Sequence, residues 1–65
     1  MSKIREARLR RGLTQIEVAG LVGITPAAVS RIERGKIGVA PRRAHRWADV
    51  LGLSVDDILF QKKAA

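Results

Sequence analysis

The sequence predicts an all-α domain of five short helices. Three observations carry that prediction. Apolar residues recur at helical spacing, and no segment alternates convincingly with period two, so helices are expected and a sheet is not. A glycine closes each of the first four helical segments, at Gly12, Gly23, Gly35 and Gly52. A residue suited to cap a helix opens four of the five, at Ser2, Thr14, Thr25 and Ser54.

Taken in order, Ser2 caps a first helix in which Ile4, Ala7 and Arg8 share a face and Leu9 lies at the flank. Thr14 and Glu17 then form the capping box T-x-x-E of the second helix. Leu13 and Val18 stand at the positions of a hydrophobic staple. This helix runs to about Val22 and buries Val18, Ala19 and Val22. Ile24 sits in the corner that follows. Thr25 caps the third helix and Pro26 takes its first position, where a missing N–H costs nothing. Val29 and Ile32 face inward, with Ala28 at the edge. The loop KIGVA leads to Pro41, read as the first residue of the fourth helix, which places Ala44, Trp47, Ala48 and Leu51 on one face. Ser54 caps a last helix, with Asp56 and Asp57 in its first turn where the dipole favours acid. Residues 1–60 form one domain, and a tail over 61–65 is expected to fray.

Composition narrows what such a bundle can do. A chain of 65 residues builds one small core, and without cysteine no disulfide or Cys-based zinc site supplements it. The apolar runs are too short to span a membrane, and MSKIREARLRRG lacks the apolar stretch of a secretory signal, so a cytoplasmic protein is expected. Thirteen basic residues against six acidic ones give a net charge of +7. Eleven of the basic residues fall within 3–11 and 31–46. Such an excess on a folded domain points to a polyanion, the alternative being a merely solvated surface. Aromatic residues are only Trp47 and Phe60, too few for a platform that stacks single-stranded bases. Trp47 is expected in the core. His45 stands alone, without a second histidine, a cysteine or an acidic pattern to make a metal or catalytic site. No nucleophile–base set, paired carboxylates or phosphate loop is present, so neither an enzyme nor a bound cofactor is expected.

The second helix, a glycine-containing corner and the third helix together make a helix-turn-helix. The major groove of B-DNA is about 12 Å wide and admits one α-helix. In such a unit the first helix crosses the phosphates while the second lies in the groove. Ala19 and Gly23 are small enough to let the two helices approach closely.

The stretches IREARLRRGLTQ, AGLVGIT, SRIERGK and ADVLGLSVDDIL cover nearly the whole chain. In order and spacing they resemble the Cro/C1-type (Xre) helix-turn-helix family of phage repressors and small bacterial regulators. The resemblance implies a compact lambda-repressor-like domain that binds double-stranded operator DNA, usually as a symmetric dimer. It also implies roles for individual residues. Gln15 hydrogen-bonds a phosphate and braces the third helix. Arg8 and Glu33 form an ion pair beneath that helix.

Base readers are expected at Thr25, Pro26, Ala27, Ser30 and Arg31. Here the chain departs from well-known members, which carry polar residues where it has Pro26 and Ala27. Those two can touch a thymine methyl but cannot hydrogen-bond a base edge through their side chains. Arg31 is left as the main donor to guanine, or else is a phosphate clamp. Shape readout is therefore expected to supply much of the specificity. Arg34, Lys36, Arg42, Arg43 and Arg46 form one expected phosphate flank, and Arg10 and Arg11 a second. On that reading Arg43→Ala lowers the salt slope of binding by about 1. A dimer surface is expected around Leu53, Val55, Ile58 and Phe60, spacing two recognition helices by roughly 34 Å. Ile16, Gly20 and Leu21 are apolar or small where the family is polar, and are either scattered surface residues or a partner patch. The other functional reading is an antitoxin or restriction-modification controller that also binds a partner protein.

Overall fold

A computed structural model describes residues 2–60 of the chain; the tail over 61–65 lies outside the described residues. Five α-helices form: α1 (Lys3–Arg10), α2 (Gln15–Val22), α3 (Pro26–Glu33), α4 (Ala44–Leu51) and α5 (Val55–Leu59). There is no strand among the described residues. No helix is long and apolar enough to cross a membrane.

The caps form as local chemistry dictates. Arg5 N–H donates to Ser2 Oγ at 3.1 Å. Thr14 and Glu17 exchange two bonds: Glu17 N–H to Thr14 Oγ1 at 3.1 Å, and Thr14 N–H to Glu17 Oε1 at 2.9 Å. Ala28 N–H donates to Thr25 Oγ1 at 3.1 Å, and Pro26 follows as the first residue of α3. Ser54 and Asp57 repeat the reciprocal box at the start of α5. Pro41 departs from expectation. It opens a 3-10 turn over Pro41–Arg43, and α4 begins only at Ala44. Ala40, at the cap position, has no side-chain acceptor for the first amides, so the entry tightens into the shorter-ring helix.

The helices bury one continuous core. Ile4 and Ala7 of α1 meet Val18 and Val22 of α2, Val29 and Ile32 of α3, and Trp47 and Leu51 of α4. Burying each large apolar side chain contributes about 1.5–3 kcal/mol before entropy is counted. Val39 joins this core from the loop, which the pattern of the sequence did not indicate. Trp47 is fully buried (0% exposed). It borders a small apolar cleft of about 160 Å³ behind α3, lined also by Ile24, Ala28, Ile32 and Val39. Ile58 is only 1% exposed and belongs to the core. It therefore cannot serve the dimer surface where it was expected. Val55 and Ile58 are three apart and share one face of α5; Ile58 lies fully in the core and Val55 is half-buried at its edge.

Gly52 ends α4 in the left-handed region, with φ of +67°. The Arg11 guanidinium lies over it, so a Cβ at that position would strike the guanidinium. Arg11 thus stands at the negative end of the α4 dipole, a favourable place for a cation. Gly52→Ala is expected to cost about 1–2 kcal/mol, because the guanidinium can swing aside but the left-handed backbone remains. A thermal melt should show Tm lowered by roughly 4–8 °C for each kcal/mol.

Lys3 Nζ reaches Asp57 Oδ1 at 2.8 Å and joins the start of α1 to the start of α5. The Lys3 ammonium, and after it the Ser54 hydroxyl and backbone N–H, hold the Asp57 carboxyl below its ordinary value. Between the folded and unfolded values the unfolded chain binds more protons, so this contribution rises with pH. It is complete above the ordinary aspartate value and is lost as pH falls through the lowered one. Glu17, lowered by the Thr14 N–H, titrates in the same direction. Melting wild type and Lys3→Met across acidic pH should isolate the bridge, with the gap between their Tm values closing as pH falls.

Candidate nucleic-acid interface

α2 and α3 meet at a corner made by Gly23, Ile24 and Thr25. Gly23 takes φ of +79°, and both its N–H and that of Ile24 donate to Ala19 O, at 2.9 and 3.0 Å. These bonds close α2 and turn the chain directly into α3.

At the ends of α2 and α3 away from the corner lies a buried polar network. Arg8 Nε donates to Glu33 Oε2 at 2.6 Å, and Nη2 donates to Oε1 at 3.2 Å. Arg8 Nη1 donates to Leu13 O at 2.8 Å. Gln15 Nε2 donates to Glu33 Oε1 at 3.1 Å. Arg8 and Glu33 are each 7% exposed. The fork-to-fork geometry supplies both charge and direction. One carboxylate at the end of α3 therefore holds the last turn of α1 and the start of α2. The bracing role expected of Gln15 is present. Its amide has two N–H groups, and the bond to Glu33 uses one of them.

The outward face of α3 carries Thr25, Pro26, Ala27 and Arg31, all exposed. Ser30 is half-buried and stands back from that face. The Thr25 hydroxyl already accepts the capping bond. Behind this face the chain is rigidly packed, and around it Arg34, Lys36 and Arg42 are exposed. Arg10, at the end of α1, is exposed as well. The helix N-terminus at Gln15 adds backbone N–H groups that suit an anion. The arrangement combines an amide-lined helix start, a projecting helix and exposed cations on the neighbouring segments.

A family profile described as helix-turn-helix matches residues 4–58. The chain belongs to the Cro/C1-type helix-turn-helix family. It has the lambda-repressor-like five-helix fold. The activity of this family is binding DNA to regulate transcription. Two similar proteins are both named uncharacterised HTH-type transcriptional regulators. One, from Archaeoglobus fulgidus, is 33% identical over 59 residues, covering 91% of this chain and 84% of the relative. The other, from Methanothermobacter thermautotrophicus, is 41% identical over 58 residues, covering 88% and 84%.

Within this helix-turn-helix domain three of the arginines expected at phosphates also engage helix ends of the chain itself. Arg11 lies over the end of α4. Arg43 Nη1 donates to Val22 O and Gly23 O, and Arg46 Nε donates to Leu21 O. These partners are 20 to 25 positions away in sequence, so no local pattern announced them. On α2, Ile16 is 71% exposed and Leu21, on a different side of the helix, is exposed as well. A Cβ at Gly20 would meet nothing within 4 Å among the described residues, so this face of α2 is open. His45 is exposed, and no metal-binding group of side chains occurs among the described residues.

Proposed function

We propose that the protein is a sequence-specific regulator that binds double-stranded DNA. On this reading it represses transcription by occupying a palindromic operator as a homodimer, with α3 in the major groove. The observation that carries the reading is the braced helix pair: Glu33 fastens the end of α3 to α1 and to the start of α2 while Thr25, Pro26, Ala27 and Arg31 project outward. A helix held this firmly and backed by cations suits a groove of about 12 Å. Gln15, the α2 amides, Arg10, Arg34, Lys36 and Arg42 are the phosphate contacts of this proposal.

Leu53, Val55 and Phe60 form the proposed dimer surface, without Ile58. Phe60 is 70% exposed, a large apolar group that a second copy would cover. The domain measures 28 × 22 × 20 Å. Two copies side by side are of the right size to set equivalent helices one turn of DNA apart, about 34 Å. A second reading, a controller or antitoxin that also binds a partner protein, is favoured only by the exposed Ile16 and Leu21 on α2.

The deciding experiment is selection of bound sequences from a random duplex library at about 150 mM salt, where weak non-specific binding is penalised. Enrichment of an inverted repeat with half-sites about ten base pairs apart supports the dimeric operator reading. Binding through roughly six phosphates should give a log–log salt slope near −5. A folded protein that enriches nothing and barely responds to salt would count against DNA as its partner.

A further inference from the structure

Arg43 and Arg46 engage three consecutive carbonyls. Arg46 Nε donates to Leu21 O at 2.9 Å. Arg43 Nη1 donates to Val22 O at 3.2 Å and to Gly23 O at 3.3 Å. A helix leaves its last four carbonyls without intrahelical partners. The carbonyl of Ala19 already accepts two N–H groups of the corner. The carbonyls from Leu21 to Gly23 take guanidinium donors from a segment 20 to 25 positions further along the chain. Arg43 ends the 3-10 turn and Arg46 lies in α4. The cations also sit where the dipole of α2 is negative. Together they fasten α4 to the corner that sets the angle between α2 and α3.

We propose that Arg43 and Arg46 are positioning residues for DNA recognition: they lock the corner so that α3 offers its reading face at one fixed angle. The proposal rests on the DNA-binding reading above. Its physical basis is a difference in tolerance. A base-edge hydrogen bond fails when the helix carrying it tilts, because its geometry is narrow. Long-range attraction to phosphates changes little with the same tilt. Loss of the two guanidiniums therefore acts on discrimination between DNA sequences, not on general attraction. A phosphate clamp acts in the opposite way.

The test compares wild type, the double variant Arg43→Ala/Arg46→Ala, and Arg42→Ala as an exposed neighbour. Each is titrated with the enriched duplex and with a random duplex over a series of salt concentrations, at a temperature where circular dichroism shows it folded. The double variant should lose about tenfold on the enriched duplex, the scale of one base contact, and clearly less on the random one. Its salt slope should match that of wild type. Exchange of the Gly23 and Ile24 amides should quicken, while that of Leu53 N–H, which donates to Ala48 O at the far end of α4, should not. Arg42→Ala should weaken both duplexes and lower the slope by about 0.9.

A slope lowered by about 1.8 with discrimination intact would make both arginines phosphate clamps and overturn the proposal. Unchanged affinity for both duplexes would overturn it as well. If the double variant does not fold, Arg46→Ala alone removes one of the three bonds and is read by the same two outcomes. Failure of the DNA-binding reading is distinguishable, because wild type itself would then show neither discrimination nor salt dependence, and both proposals would fall.

Discussion

Replacing Glu33 with alanine is expected to leave much of the protein unfolded at room temperature. Glu33 is the acceptor for Arg8 and for Gln15, and its removal strands the Arg8 guanidinium in the core with Leu13 O as its remaining partner. Breaking a buried pair by deleting one partner typically costs about 3–5 kcal/mol. Against this, a domain of 65 residues has a total stability of only about 3–10 kcal/mol, at 0.05–0.15 per residue. Denaturant melts of Glu33→Ala should show that loss directly. The double variant Arg8→Met/Glu33→Leu should regain most of it, since replacing both charges by apolar groups of similar size is often neutral or stabilising. A single-variant cost below about 1 kcal/mol, the range of exposed pairs, would show that the pair is not desolvated.

Arg31→Ala should weaken binding to a selected duplex by roughly 5- to 150-fold, the equivalent of the 1–3 kcal/mol that a bidentate contact to guanine supplies. Binding to random DNA should fall much less. The expectation follows from chemistry along α3. Pro26 and Ala27 offer no side-chain donor, the Thr25 hydroxyl is engaged by Ala28 N–H, and Ser30 is half-buried. Direct hydrogen-bond readout thus falls mainly to one exposed guanidinium. Competition titrations against both duplexes decide the matter. Equal loss on the two would make Arg31 a phosphate clamp.

Most of the fold was legible because capping is chemistry between residues three apart. Thr14 with Glu17, Thr25 ahead of Pro26, and Ser54 ahead of its acidic first turn each mark a boundary that the structure keeps, with cap bonds from Glu17, Ala28 and Asp57 N–H three residues on. The Arg8–Glu33 pair was legible only through family resemblance, since 25 positions separate its members. What stayed hidden shares a cause. Arg11, Arg43 and Arg46 have long side chains that reach helix ends remote in sequence, and a run of basic residues looks alike whether it faces solvent or a carbonyl. Ile58 was misplaced because a five-residue helix at the end of a chain gives too few turns to separate an inner face from an outer one. Val39 reached the core from a loop, where no period exists to reveal it.

Trp47 gives the protein an optical sensor of its own. It is the sole tryptophan of the chain, it is completely buried, and its indole N–H has no hydrogen-bond partner among the described residues. An indole shielded from water emits at short wavelength, and its emission moves to the red when the core opens. The ring also borders the cleft behind Ile24, Ala28 and Ile32, so its surroundings change whenever α3 shifts against α4. Unlabelled protein can therefore report by emission colour alone whether docking on a duplex leaves the back of the recognition helix still or moves it.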